Sequence, residues 1–154
     1  MQALNRNFEE FLRLLNGQGV KYLVIGGYAV AVHGYVRATG DLDVFVELAE
    51  ENIHRLMAVL KDFGFDTTVV SKEVLLTRGK IIRFGVPPLR LEIMNEISGV
   101  EFSACYPKRV TEQIGSIAVP FIDLENLIRN KQASGRPKDL ADVAELTRGG
   151  PPGS

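Results

Sequence analysis

Apolar residues at Phe8, Phe11, Leu12 and Leu15 follow the i, i+3, i+4, i+7 spacing of one helix face, and Gly17 ends the pattern. The periodicity then gives way to Val20-Lys21-Tyr22-Leu23-Val24-Ile25, a short apolar and β-rich run of the kind that forms a buried strand. Gly26-Gly27 punctuates it, and Tyr28 to Tyr35 suits a short helix closed by Gly34. From Asp41 to Glu47 the residues alternate, so Leu42, Val44 and Val46 share a core-facing side of a strand. Ile53, Leu56, Met57 and Leu60 restore a helical stripe, with Gly64 as its C-terminal stop.

The middle of the chain reads as short strands over Phe65–Val70, Val74–Thr77, Ile81–Phe84 and Leu89–Met94. Turn residues at Arg78-Gly79-Lys80 and Val86-Pro87-Pro88 separate the last three. A further strand is expected near Ser116–Val119, followed by two closing helices. Asp123 is the expected cap of the first, which buries Leu124, Leu127 and Ile128. Pro137 suits the first turn of the second, which is expected to bury Leu140, Val143 and Ala144. The order of elements implies an α+β fold, a mixed β-sheet with helices packed against it. Residues 1–148 are expected to form one domain, and 149–154 (Gly-Gly-Pro-Pro-Gly-Ser) a frayed tail.

Composition narrows the chemistry. A net charge of −1 removes the global field of a basic nucleic-acid binder, so any contact with RNA would need a local patch. Cys105 is the sole cysteine, which excludes an intramolecular disulfide and a multi-cysteine zinc site and suits a reducing cytoplasm. It is expected to be a small buried hydrophobe. The polar N-terminus carries no apolar leader, and Val20–Val36, interrupted by Lys21, Gly-Gly and His33, does not read as a membrane span. There is no P-loop and no Gly-x-Gly-x-x-Gly. His33 and His54 are not spaced as metal ligands: His33 is expected within the short helix, His54 on the surface.

The informative stretch runs from Ile25 to Val44. On an alternating strand Asp41 and Asp43 point the same way, roughly 7 Å apart. Two like charges side by side repel, and a divalent cation gives the arrangement a purpose: hard oxygen ligands bind Mg²⁺ or Mn²⁺ together with substrate phosphates. The Gly26-Gly27 pair, between a strand and a helix, allows backbone N–H groups to approach a triphosphate. In Leu89-Arg90-Leu91-Glu92-Ile93-Met94 the alternation sends Glu92 away from the core, a third carboxylate on a later strand.

Gly26-Gly27 and Asp41-Leu42-Asp43, with Glu92 downstream, resemble the nucleotidyltransferase superfamily built on a DNA polymerase β-type palm. The stretch from Gly27 to Asp43 and the segment Lys131 to Asp142 look most like bacterial abortive-infection and toxin–antitoxin nucleotidyltransferases. The resemblance covers about residues 20 to 146, and Glu92 stands where that group usually has Asp. It implies a nucleotidyltransferase fold and a metal-dependent transfer of NMP from an NTP to an acceptor hydroxyl. Asp41, Asp43 and Glu92 would be the metal-binding and catalytic set. Gly26, Gly27, Arg37, Thr39, Lys131, Arg136 and Lys138 would meet the nucleotide, and Asp139 would orient one of the cations. Tyr28 could stack on a base or ribose, or be partly buried. RNA (tRNA included) or a protein is the implied acceptor; a small antibiotic is the enzymatic rival, and a degenerate module that binds nucleotide or a partner without turnover is the non-catalytic one. A chain this short leaves little room for an acceptor domain, so a second copy or a partner chain is expected to complete that side.

Overall fold

The computed structural model describes residues 4–65, 70–86 and 89–148. Among these residues six strands form one sheet in the order β3-β4-β2-β1-β6-β5. They are β1 (Tyr22–Ile25), β2 (Asp41–Val46), β3 (Ile81–Val86), β4 (Leu89–Met94), β5 (Val110–Ile114) and β6 (Ile117–Phe121). The helices are α1 (Arg6–Gly17), α2 (Gly26–Val32), α3 (Glu50–Phe63), α4 (Lys72–Leu76), α5 (Phe102–Cys105), α6 (Leu124–Ser134) and α7 (Pro137–Leu146). The sheet is mixed: β2 runs antiparallel to β1 but parallel to β4, and β1 runs parallel to β6.

The two central strands carry the architecture. All four residues of β1 are buried, as its unbroken apolar run requires. In β2, Leu42, Val44 and Val46 are fully buried and in register with Leu91, Ile93, Val24 and Tyr22 on the neighbouring strands. The opposite face carries Asp41, Asp43 and Phe45 by alternation. Phe45 is sealed by Phe102 of α5, ring centroids 5.2 Å apart, while the two aspartates remain partly open. α1 buries Phe8, Phe11, Leu12 and Leu15 as its periodicity demands and packs on α3, with Phe11 meeting Phe63 edge-on. Gly64, at φ 99°, closes α3 in the left-handed region that only glycine enters freely.

Several expectations change. α2 begins at Gly26 itself and ends at Val32, with His33 as its C-cap. Val74–Thr77 is not a strand but part of α4: the Ser71 hydroxyl accepts from the Val74 N–H at 3.3 Å, and only Leu75 is buried. A four-residue apolar run has no decided period, and the cap settles it. β6 appears where a strand is expected, and its hairpin partner β5 is an addition; its exposed Thr111-Glu112-Gln113 hides an edge strand from hydrophobic patterning. In α7 the expected apolar burial is reversed. Leu140 is exposed and Val143 and Ala144 are not buried, whereas Asp139 and Asp142 are. Asp123 caps α6 as expected, accepting from the Asn126 N–H at 3.3 Å. The strand expected over Phe65–Val70, the Val86-Pro87-Pro88 turn and the tail at 149–154 fall wholly or partly outside the described residues. No helix among the described residues is long and apolar enough to cross a membrane.

Candidate active site

Strand register assembles the carboxylates. Asp43 is the direct partner of Glu92 across the parallel β2–β4 pair, and Asp41 is the partner of Arg90. Glu92 is in turn the partner of Arg83 on the edge strand β3. Side chains in register share a face, so Asp41, Asp43, Glu92, Arg90 and Arg83 form one charged patch on the sheet. Arg90 donates to Asp41 at 3.1 Å, and the Arg83 Nε donates to Glu92 at 3.0 Å.

The middle carboxylate is left over. Asp43 Oδ1 is buried and finds no hydrogen-bond partner. Burial, then the charges of Glu92 and Asp41 and a hydrogen bond that the protonated group shares with Glu92, push the Asp43 carboxyl up to about 7, and Lys131 only partly opposes them. Among the described residues no three His, Cys, Asp or Glu side chains already converge as a ligand set. The register explains this: the arginines hold Asp41 and Glu92, and Asp43 alone is uncompensated. A buried carboxylate oxygen without a donor, beside a second carboxylate, is the donor set a hard cation fits.

The glycine pair acts differently from a bare phosphate cradle. Gly26 has φ 69°, and a Cβ there would strike the Asp43 carboxylate. A Cβ on Gly27 would come within 2.6 Å of Thr39 Oγ1. The space the two glycines leave is filled by the chain's own Asp43 and Thr39, which seats the acidic strand against the start of α2. Gly26→Ala is therefore expected to lower stability by about 2–4 kcal/mol through left-handed strain and displacement of Asp43. Thermal unfolding should show this as a clear drop in midpoint, with Gly17→Ala, which meets nothing within 4 Å, as the mild control.

Facing the carboxylates across a cleft of about 960 Å³ is a cationic wall from α6, α7 and the segment before β2. Three of its members already hold carboxylates. Lys131, buried, is 3.0 Å from a carboxylate oxygen of both Asp139 and Asp142. Arg37 makes a two-pronged bond to Asp142, both arms at 3.0 Å, which ties the approach to β2 onto α7. Arg136 is held to Asp139 at 2.8 Å but keeps 77% of its side chain exposed. Lys138 is exposed, lines the cleft and has no ion pair among the described residues.

All the sequence-selected residues, Asp41, Asp43, Glu92, Gly26, Gly27, Arg37, Thr39, Lys131, Arg136 and Lys138, thus line one cleft. Tyr28 does not: it is buried edge-on against Phe8, ring centroids 6.3 Å apart. His33 Nε2 lies 2.7 Å from the Ile122 carbonyl, a structural bond, and His54 is exposed. Cys105 is fully buried, and burial pushes its thiol up to about 11, far from a reactive thiolate. The residues sequence reasoning missed are Arg83 and Arg90. Arg90 sits two positions before Glu92 and so shares its face, a signal present in the alternation; Arg83 becomes visible only through strand pairing.

A family model described as "Nucleotidyltransferase of unknown function (DUF6036)" matches residues 2–147. The chain belongs to this family. Solved structures agree on the fold. A Thermotoga maritima protein described as a nucleotidyltransferase superposes with a TM-score of 0.59 at 13% identity, over 96% of this chain and 98% of that one. The lincosamide antibiotic adenylyltransferase LnuA, with lincomycin bound, gives 0.57 at 15% identity over 96% and 98%. The antibiotic-resistance factor ANT(2'')-Ia gives 0.57 at 14% identity over 93% and 82%. No curated protein matches the chain significantly by sequence. The α+β nucleotidyltransferase fold expected from the Gly-Gly and Asp-x-Asp pattern is the fold of these structures, and family membership makes the chain a nucleotidyltransferase that uses an NTP and an acceptor.

Proposed function

We propose that this chain transfers NMP from an NTP to an acceptor hydroxyl in a metal-dependent reaction, with Asp41, Asp43 and Glu92 as the catalytic carboxylates. The observation that carries the reading is the orphaned Oδ1 of Asp43, a buried carboxylate in register with Glu92 whose other oxygen, Oδ2, packs against Gly26. Asp41, Asp43 and Glu92 would hold Mg²⁺ or Mn²⁺, which when bound stabilises charge on the attacking and leaving oxygens. The acceptor oxygen attacks the α-phosphorus, the bond to the bridging oxygen breaks, and pyrophosphate leaves. Glu92, which lines the cleft, would either complete the ligand set or accept the hydroxyl proton.

The opposite wall divides its labour. Lys131 and Arg37 are committed to Asp139 and Asp142, so in this reading they hold the wall in place. Arg136 and Lys138, exposed toward the cleft, meet the triphosphate, and Gly26, Gly27 and Thr39 form its floor. Positioning and fixed charge carry most of the barrier reduction in such chemistry.

RNA or a protein is the proposed acceptor, in a toxin–antitoxin or phage-defence setting, as the resemblance of residues 27–43 and 131–142 implies. A small hydroxylated drug is the second reading. It is favoured by a cleft at the upper end of the small-molecule range and by the adenylyltransferase fold shared with LnuA. The test is transfer from each α-labelled NTP with Mg²⁺ or Mn²⁺ into total bacterial RNA, lysate protein and a panel of lincosamides and aminoglycosides. Label in RNA or protein, lost in the Asp41→Ala/Asp43→Ala double variant, is the expected result. Label in the drug alone selects the second reading. Metal-dependent NTP binding without label in any acceptor would replace both with a binding module.

A further inference from the structure

We infer that Arg83 is a displaceable counter-ion of Glu92: it holds that carboxylate until a divalent cation takes it. The inference rests on the metal-binding reading above and concerns what the cation must displace. Arg83 and Glu92 are direct partners across β3 and β4, and the Arg83 Nε donates to Glu92 Oε1 at 3.0 Å. An oxygen lone pair that accepts a guanidinium N–H is not available to a metal ion. Arg83 orients the Glu92 carboxylate through Oε1 and sets a positive charge beside it, so a cation drawing that carboxylate toward Asp43 competes with Arg83.

Two arginines touch the carboxylates, and the structure distinguishes them. Arg90 is two-thirds covered, contacts Asp41 at 3.1 Å and Glu92 at 3.9 Å, and its Nε is buried without a partner. Moving it would give up the bond to Asp41 and uncover a side chain that is largely packed away. Arg83 stands on the sheet's edge strand with 58% of its side chain exposed, and Glu92 is its sole carboxylate partner among the described residues. It can turn into solvent and exchange one bond for water. Pairs with one exposed member contribute little net free energy, so a cation binding the carboxylates outcompetes this one at small cost. Glu92 is kept in place and partly neutralised in the meantime, which limits repulsion with Asp43.

The test is Mn²⁺ binding to the nucleotide-free protein, read by paramagnetic resonance of free Mn²⁺ and by calorimetry, with no turnover involved. Arg83→Met should bind Mn²⁺ about three- to fivefold more tightly than wild type. Arg78→Met is the control: it removes a like charge that pairs with Glu96, a cleft-lining residue, at 3.4 Å and touches none of the three carboxylates, and should change affinity by less than about 1.5-fold. Unchanged or weaker binding by Arg83→Met would overturn the inference. An equal gain in Arg78→Met would overturn it too, by showing a general field rather than the Glu92 contact. Failure of wild type and Arg83→Met alike to bind Mn²⁺ would instead remove the metal reading on which it rests.

Discussion

Asp43→Asn is expected to raise the thermal unfolding midpoint at pH 8 by roughly 4–10 °C while reducing nucleotide transfer by at least about two to three orders of magnitude. The stability half follows from the carboxyl's position. Burial, Glu92 and Asp41 lift its pKa to about 7, against an ordinary value near 3.8. Between these two values the folded state holds a proton that the unfolded state has released, so this group's contribution to stability falls as pH rises from about 4 to 7. With solvent reaching part of the site, the charged carboxylate costs the folded state about 2–3 kcal/mol. Asn cannot ionise, and its amide can donate to Glu92 at every pH, whereas the Asp43 carboxyl can do so only while protonated. The difference between variant and wild type should therefore grow through pH 4–7 and vanish below pH 4. Mn²⁺ should raise the wild-type midpoint but leave the variant's unchanged. A variant no more stable than wild type at pH 8 would mean that the orphaned oxygen carries no cost, and the main observation behind the proposed function would go with it.

The charged patch was partly legible in the sequence because strands encode faces. Asp41-Leu42-Asp43 and Leu91-Glu92-Ile93 each place carboxylates opposite a buried apolar set, and the structure keeps that alternation. Gly26-Gly27 marked the end of β1 for the same local reason, a required φ of 69° and close approach. What alternation cannot supply is which strands become neighbours. Asp43 meets Glu92 because β2 and β4 pair in parallel, and Glu92 meets Arg83 because β3 folds back on β4. These are long-range choices of topology, invisible to a local pattern. The same limit hid the purpose of Gly26 and Gly27: their missing side chains admit Asp43 and Thr39, from a strand and a loop met later in the chain.

The second helix of the closing pair failed for a different reason. Pattern reading sends Leu140, Val143 and Ala144 inward because burial of apolar surface is the usual driving force. Here a charge outranks it. Lys131 on α6 points into the interface, and a buried ammonium needs carboxylates more than neighbouring methyl groups need cover. α7 accordingly turns Asp139 and Asp142 inward and leaves Leu140 exposed. The motif Lys131-x-x-Ser134-x-Arg136-x-Lys138-Asp139-x-x-Asp142 was readable as a cationic cluster. Its reading as a buried ion network required knowing that α6 and α7 pack face to face.

That network carries the second large effect. Lys131→Met should destabilise the protein by about 3 kcal/mol at pH 7, because it leaves two buried aspartates short of a shared partner. For a chain of this length the midpoint should fall by roughly 6–12 °C. The pH dependence separates this from a simple packing defect. In wild type, burial tends to raise the Asp139 carboxyl, but bonds from Ser134, Lys131 and Arg136 outweigh it and hold the group down to about 2. Asp142 is lowered in the same way: burial is again outweighed, here by Arg37 and Lys131. A depressed carboxylate contributes stability that is complete above its unfolded value near 4 and is lost as pH falls toward 2. Wild type should therefore lose stability across pH 4 to 2. In Lys131→Met the same aspartates, still buried but less well compensated, should titrate higher, so the acid loss shrinks and the two proteins converge at low pH. A constant difference between them from pH 7 to pH 2.5 would show that the loss does not come from the charges of Asp139 and Asp142. Convergence would establish that the wall facing the carboxylates is held by charge, with Lys131 sharing Asp142 with the Arg37 that ties in the segment before Asp41.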